Sequence, residues 1–402
     1  MSATPEPDPF RADTRAWLEA HCPPSMRTPM PEHEYPWGGR NAEFPNPDTR
    51  LWLARMVDKG WTAPMWPREY GGAGLTLEQA RVLEQEMARI GARPPLFSFG
   101  FWMLGPVLLE LGSAEQKQRF LPAIARGEIR WCQGYSEPGA GSDLAALKTR
   151  AELRGDRFIV NGSKIWTSDA DKADWIFCLV RTDFEVPKHQ GISFLLFDLN
   201  SAGVERRPIK LISGASPFCQ TFFDNVEVPA ANLVGRLNGG WDIAKRLLQY
   251  ERQNVAGAGF GADRSRTLWD IAKHYSPFSH DSEGAGAIDP DLRARIADQV
   301  IHAEAIDCLV QRMTTETSGQ SASALASVLK VLVAKNNQLR SELLIEAMGG
   351  AGLGWDGDVF SDDELTEVKA WLRSKGNSIE GGTSEINLNI IAKRVLGLPD
   401  PR

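Results

Sequence analysis

The spacing of hydrophobic positions along the chain changes twice. From about residue 11 to 128 it is helical: Ala80, Leu83, Met87 and Ile90 share one face of a helix over 75–90, which Thr76 and Gln79 open as a capping box. Ser113 with Gln116 opens another helix toward Phe120, and Pro67, Tyr70, Gly71, Gly72 and Gly74 break the pattern into a turn. From about 130 to 235 the runs are short and rich in β-branched and aromatic residues: 157–160, 175–180, 192–199 and 220–228. Asn161-Gly162 directly follows the first run, which predicts a hairpin turn there. From about 237 onward helical spacing returns. Asp289 and Pro290 make an N-cap and first-turn proline ahead of Leu292, Ile296 and Val300. Leu325, Val328, Leu329 and Leu332 mark another helix, and a final one begins at Thr383 and carries Ile386, Ile390, Ile391 and Val395.

These regimes predict an α+β chain of three parts: an N-terminal helical domain (1–128), a central β domain (129–236) and a C-terminal helical domain (237–402). No long helices separate the central strands, so a sandwich or barrel fits better than a βαβ unit. The segment 281–289 (DSEGAGAID) reads as a surface loop.

Composition narrows the function. Among 402 residues the net charge is −7 and no dense Lys/Arg run occurs, which argues against nucleic-acid binding. The five cysteines share no CxxC spacing and the six histidines form no HxxxH pair, so neither a disulfide framework nor a metal site is expected. The polar, Pro-rich start lacks a basic segment followed by an apolar one, and no stretch is long and apolar enough to span a membrane. A cytoplasmic protein is the expectation.

Four segments carry candidate chemistry. In 131–143 (WCQGYSEPGAGSD), Gly139, Gly141 and Ser142 allow backbone N–H groups to approach a ligand, or simply form a turn. In 161–168 (NGSKIWTS), Trp166 offers a π-face and Ser168 a hydroxyl on the same side of an extended chain; a planar heterocycle would stack there, or the tryptophan plugs the sheet. In the helix starting near Trp241, Ile243, Leu247, Glu251 and Val255 recur every fourth residue, so a carboxylate continues an apolar stripe. Such a site raises a carboxylate's pKa toward that of a general base; the alternative is a surface glutamate beside Arg252. Ala256, Gly257, Ala258 and Gly259 then permit close packing. In 379–386 (IEGGTSEI), two glycines and a threonine N-cap leave free N–H groups for a diphosphate, or make an ordinary capped turn.

In this order, the segments resemble the acyl-CoA dehydrogenase family over nearly the whole chain. The likeness runs from GWTAPMWPREYGGAGL (60–75) through SEPGAGSD (136–143), NGSKIWTS and VEVPAANLVG (226–235) to EAMGGAG (346–352) and IEGGTSEI. The resemblance implies a helical domain, a β domain and a C-terminal four-helix bundle, with FAD as cofactor. It implies that Tyr135, Ser136, Gly141, Ser142, Trp166 and Ser168 contact the flavin or nearby substrate. Thr383 and Glu385 would meet the cofactor's diphosphate or adenosine side, Glu346, Gly349 and Gly350 would also bind the cofactor, and Ser142, Arg252 and Gly381 the acyl-CoA. Ser168 stands where threonine is commoner, and the hydroxyl survives that change. The implied reaction is α-proton removal by a carboxylate with hydride transfer to the flavin, electrons passing on to an electron-transfer flavoprotein.

Two departures from the family pattern stand out. The usual base position, immediately before Gly-Thr, is Gly381 here, with Glu380 one residue early. Isovaleryl- and long-chain-type members place the base where this chain has Glu251, which is therefore the expected base, with Glu380 as the alternative. The Arg-x-x-Phe-Gly stretch that usually reaches a neighbouring subunit's FAD is not visible between Ala262 and Asp289. A related partner subunit would supply those contacts, or a homo-oligomer would make them differently. The late pattern GGTSEINLNIIAKRVLGLP resembles bacterial members that act on unusual acyl-CoAs, including steroid side chains. A flavin oxidase or monooxygenase on the same fold, or a subunit that only lends FAD contacts, are the competing readings.

Overall fold

A computed structural model describes residues 8–257, 267–276, 288–315 and 319–399. The chain divides into two compact units, 1–208 with 218–247, and 209–217 with 248–402.

The first unit begins with helices Pro9–His21, Pro47–Asp58, Leu77–Arg89, Gly105–Leu111 and Ala114–Ala125. Both expected capping boxes form, at Thr76–Gln79 and Ser113–Gln116. Leu18, Met26, Trp52, Met56 and Leu83 make a common core, with Trp17 edge-on to Trp61 at 4.8 Å. Glu86 is a charged residue buried on the helix Leu77–Arg89 and held by Arg11, Arg15 and Arg89.

Eight strands follow: β1 Trp131–Gly134, β2 Arg150–Arg154, β3 Arg157–Ser168, β4 Trp175–Arg181, β5 Ile192–Asp198, β6 Val204–Ile209, β7 Phe218–Pro229 and β8 Leu233–Val234. They form one sheet in the order β6-β7-β3-β2-β4-β5-β8, with β1 parallel to β4. β5 and β7 lie far apart in that order, yet Phe197 meets Phe223 at 5.2 Å, so the sheet curls around its own core. Phe158, Val160, Cys178, Val180, Leu195 and Val226 fill that core. All seven residues of β4 are buried because its other face is covered too: Phe120, from the helix Ala114–Ala125, stands edge-on to Trp175 at 5.2 Å.

The hairpin expected at Asn161-Gly162 is not there. The turn between β2 and β3 is made by Gly155 (φ +63°) and Asp156, and Asn161-Gly162 sits inside β3 at a bulge opposite β7. The bulge uses the same residue chemistry as a turn. Gly162 adopts φ +144°, and a Cβ on it would stand 2.7 Å from the Thr149 Cα. The Asn161 side chain accepts a hydrogen bond from the Asn225 N–H at 2.8 Å, closing the gap in the ladder.

The second unit is helical. The long helix Gly319–Met348 packs against Pro290–Thr315, Asp362–Ser374 and Ser384–Ile390. Ile296, Leu343, Leu344 and Met348 are buried together with Leu268 and Ile271 of the short helix Leu268–His274. Asp289 caps the helix at Pro290, accepting from the N–H groups of Asp291 and Leu292. Most of the 281–289 loop, and Ala258 and Gly259, lie outside the described residues. No described helix is long and apolar enough to cross a membrane.

Candidate active site

In the first unit, two of the motif segments lie side by side. Tyr135 directly follows β1, with its ring edge-on to Phe177 and Phe194 at 6.2 and 6.4 Å. The carbonyl of Ser136 accepts from the Ile165 N–H at 2.9 Å, which ties the loop to β3 next to Trp166. Gly141 and Ser142 are exposed, and no described residue lies within 4 Å of where a Cβ would project from Gly139 or Gly141. These glycines leave room that the described residues do not fill.

Trp166 is the outlier of the region. It adopts φ +61° at a second bulge in β3, between Lys164 and Thr167, and its side chain is 52% exposed. A bulky residue in the left-handed region is strained, and such strain collects at ligand sites. The expectation of an extended chain here is thus corrected: the bulge shifts the alternation, burying Thr167 while Trp166 stands exposed and Ser168 half-buried. Ser168 pairs with Phe218, whose ring meets the Trp166 indole edge-on at 6.0 Å.

Beside the loop, an open cavity of about 260 Å³ is lined by Leu147, Lys148, Arg181, Phe184, Val186 and Lys188. Lys188 also pairs with Asp143, the last residue of the SEPGAGSD segment, at 2.8 Å. Arg181 is spent on structure, donating to the carbonyls of Ala145, Leu147 and Lys188.

In the second unit, Gly381 (φ +63°) and Gly382 (φ +87°) turn the chain into the helix Ser384–Ile390, whose N-cap is Thr383. The Thr383 hydroxyl accepts from the Ile386 N–H at 3.2 Å. The carboxyl of Glu385 lies below its ordinary pKa because its own backbone N–H, and then the Thr383 hydroxyl, bond to it. Glu380 is engaged on both oxygens, by Arg373 at 2.6 Å and by Asn377 at 2.6 Å. Asn377 is in turn bonded to Asn337 of the long helix. Glu346 forms a two-point ion pair with Arg295, both contacts at 2.7 Å, while Gly349 and Gly350 face open space.

Glu251 and Arg252 lie on the helix Gly240–Gly257, and their side chains are outside the described part of the structure. Ile243 and Leu247, the earlier members of the same stripe, are buried. The segment 262–289, where an Arg-x-x-Phe-Gly stretch would stand, also falls largely outside the described residues. Among the described residues no cluster suits a metal ion.

Three charged residues escaped the sequence reading. Glu137 and Lys164 form a buried ion pair at 2.8 Å. Lys330 is 2% exposed on the long helix, and its ammonium has no hydrogen-bond partner among the described residues. Burial holds its pKa below the ordinary lysine value, partly offset by Glu380 and Glu385. Its place among Leu325, Val328, Leu329 and Leu332 was the available signal.

Family models for the N-terminal, middle and C-terminal domains of acyl-CoA dehydrogenases match residues 4–128, 132–226 and 238–396. The chain belongs to the acyl-CoA dehydrogenase family. Acyl-CoA dehydrogenase IpdE1 of Mycobacterium tuberculosis is 35% identical over 97% of both chains. Acyl-CoA dehydrogenase FadE34 of the same organism is 37% identical over 86% of this chain, which spans 45% of that relative's length. The solved Tcur3481-Tcur3483 steroid ACAD is 29% identical, with a TM-score of 0.73 over 98% of this chain and 97% of its own. This acyl-CoA dehydrogenase therefore has the fold its sequence implied: helical, then β, then helical domains.

Proposed function

We propose that the chain catalyses the FAD-dependent α,β-dehydrogenation of an acyl-CoA thioester to its trans-2-enoyl product, with electrons passed on to an electron-transfer flavoprotein. The observation that carries the cofactor reading is Trp166: strained, half-exposed, and adjacent to Ser168 and to the open glycine loop. The donor set fits a flavin: a broad π-face, a nearby hydroxyl, and glycines whose missing side chains leave space for a ring system and phosphates. When bound, FAD supplies the hydride acceptor. Trp166 and Ser168 orient it, with Tyr135, Ser136, Gly141 and Ser142 alongside. Thr383, Glu385, Glu346, Gly349 and Gly350 are assigned to its diphosphate and adenosine side.

Glu251 is the proposed base, taking the pro-R α-proton, and Glu380 the alternative. Hydrogen bonds to the thioester oxygen stabilise the enolate-like charge that develops as the proton leaves. Lys148 and Lys188 line the cavity beside Ser142's loop and are proposed to attract the phosphates of coenzyme A, with Lys188 exchanging its Asp143 partner for phosphate. Ser142, Arg252 and Gly381 are the other proposed substrate contacts.

The acyl group is proposed to be steroid-derived, since the late motif and the similarity to a solved steroid ACAD point the same way. That neighbour's name joins two components, which supports assembly with a related subunit over a homo-oligomer. The test is anaerobic mixing of the purified protein with a series of CoA thioesters, following loss of flavin absorbance. Bleaching by a steroid side-chain thioester in preference to straight-chain ones is expected. A flavin that no thioester bleaches, but that oxygen reoxidises rapidly after chemical reduction, favours the oxidase reading instead.

A further inference from the structure

Lys164 is fully buried in β3, and Glu137 is 8% exposed in the loop after β1. Withdrawing two opposite charges from water costs more than their attraction usually returns, and an apolar pair of similar volume packs as well. Stability alone therefore does not account for this pair. Its hydrogen bonds do. The Lys164 ammonium donates to the Tyr135 carbonyl at 3.0 Å and to the Glu137 carboxylate at 2.8 Å. The same carboxylate accepts from the backbone N–H groups of Lys148 at 2.6 Å and Thr149 at 2.9 Å, just before β2. Glu137 and Ala140 exchange two backbone hydrogen bonds, which closes the loop on itself. One carboxylate thus anchors the segment 135–140 to β3 on one side and to the entry of β2 on the other.

The residues that follow are the ones with free space around them: Gly141 faces open solvent, and Trp166 stands two residues beyond Lys164. Burial alone would raise the Glu137 pKa, but the Lys164 charge and the hydrogen bonds from Lys164, Thr149 and Lys148 outweigh it and hold the group below its ordinary value. The anchor stays ionised at neutral pH.

We propose that Glu137 and Lys164 are positioning residues that lock the Ser136–Ser142 loop to the strand bearing Trp166, setting the spacing between the two segments that grip the flavin. This rests on the FAD reading above. The test compares the full chain with Glu137→Gln, Lys164→Met and the double variant. The readouts are amide hydrogen exchange and FAD affinity from fluorescence quenching. The diagnostic amides are Glu137, Ala140 and Ile165, which bond to backbone and not to the carboxylate. Their exchange is expected to accelerate at least tenfold in every variant, with FAD affinity falling at least tenfold, while the β4 amides keep their protection. The double variant, having no unpaired buried charge, is expected to recover thermal stability without recovering loop protection. Unchanged exchange at the three amides overturns the proposal. So does acceleration spread equally over β4, or a loosened loop with wild-type FAD affinity. A parent protein that binds no FAD yet shows the local loosening in its variants would instead sink the flavin reading alone.

Discussion

The indole of Trp166 stands edge-on to the ring of Phe218, with centroids 6.0 Å apart and planes at 88°. Phe218 lies opposite Ser168 across the β3–β7 ladder, so one aromatic contact steadies the strand at the point where Trp166 departs from extended geometry. Trp166 stays 52% exposed there, on a backbone held at φ +61°.

Replacing Trp166 by asparagine, which tolerates φ > 0, should therefore change the stability of the flavin-free protein by less than about 1 kcal/mol. Flavin affinity should fall at least tenfold. Thermal unfolding of the flavin-free form and FAD titration check the two halves separately. A large loss of stability would make Trp166 a structural plug of the sheet.

Glu86 makes a prediction about acid. The hydrogen bond from Arg15, followed by those of Arg89 and Arg11, outweighs burial and brings its pKa from 4.5 down to about 2. A carboxyl with a depressed folded-state pKa contributes stability that is complete above its unfolded value and is lost as pH falls toward the folded one. The contribution should therefore disappear between pH 4.5 and about 2. Glu86→Gln should cost roughly 3 kcal/mol at neutral pH, the low end for breaking a buried ion pair because the arginines are part-exposed. Its stability should fall less steeply than the parent's across that acid window. Parallel pH curves for parent and variant would contradict the assignment.

Gly162→Ala tests the bulge. The added methyl meets the backbone of Thr149 at 2.7 Å, where no side-chain rotation relieves it, and alanine disfavours φ +144°. A loss of roughly 2–3 kcal/mol in chemical unfolding is expected, toward the upper part of the range for single substitutions. If Asn161-Gly162 were a solvent-facing turn, the same change would carry the left-handed backbone penalty alone, about 1–2 kcal/mol, with no clash added.

The contrast at Gly162 shows where the sequence is legible. Helix starts depend on residues at most three apart, so Thr76–Gln79, Ser113–Gln116 and Asp289–Pro290 are visible in the chain and present in the fold. A left-handed glycine is equally visible, but whether it serves a turn or a bulge depends on the partner strand β7, more than fifty positions away. Charged pairs are hidden for the same reason. Glu137 and Lys164 stand in two motifs recognisable separately, and only the pairing of the loop with β3 brings them to 2.8 Å. The family motifs were legible because each is local. The company that Glu380 and Glu346 keep, Arg373 with Asn377 and Arg295, was not.

That company bears on the choice of base. Glu380 gives both oxygens to Arg373 and Asn377 at 2.6 Å, so removing a substrate proton would require it to abandon a charged partner. The commoner base position beside it is Gly381, which carries no side chain. Ile243 and Leu247, earlier on the helix that carries Glu251, are buried, which is the ground for proposing Glu251 as the base. Glu251→Gln should keep FAD and ligand binding while slowing flavin reduction by about 10²–10⁴-fold, the usual contribution of a general base. Glu380→Gln should be much milder in rate, its main effect being a looser Arg373–Asn377 contact and weaker flavin retention. Single-turnover mixing of each variant with a bleaching acyl-CoA decides between them. Normal reduction in Glu251→Gln with failure in Glu380→Gln would move the base to the late loop. Equal failure of both would mean that the two carboxylates act as a unit, each needed to hold the substrate's α-carbon where a proton can leave.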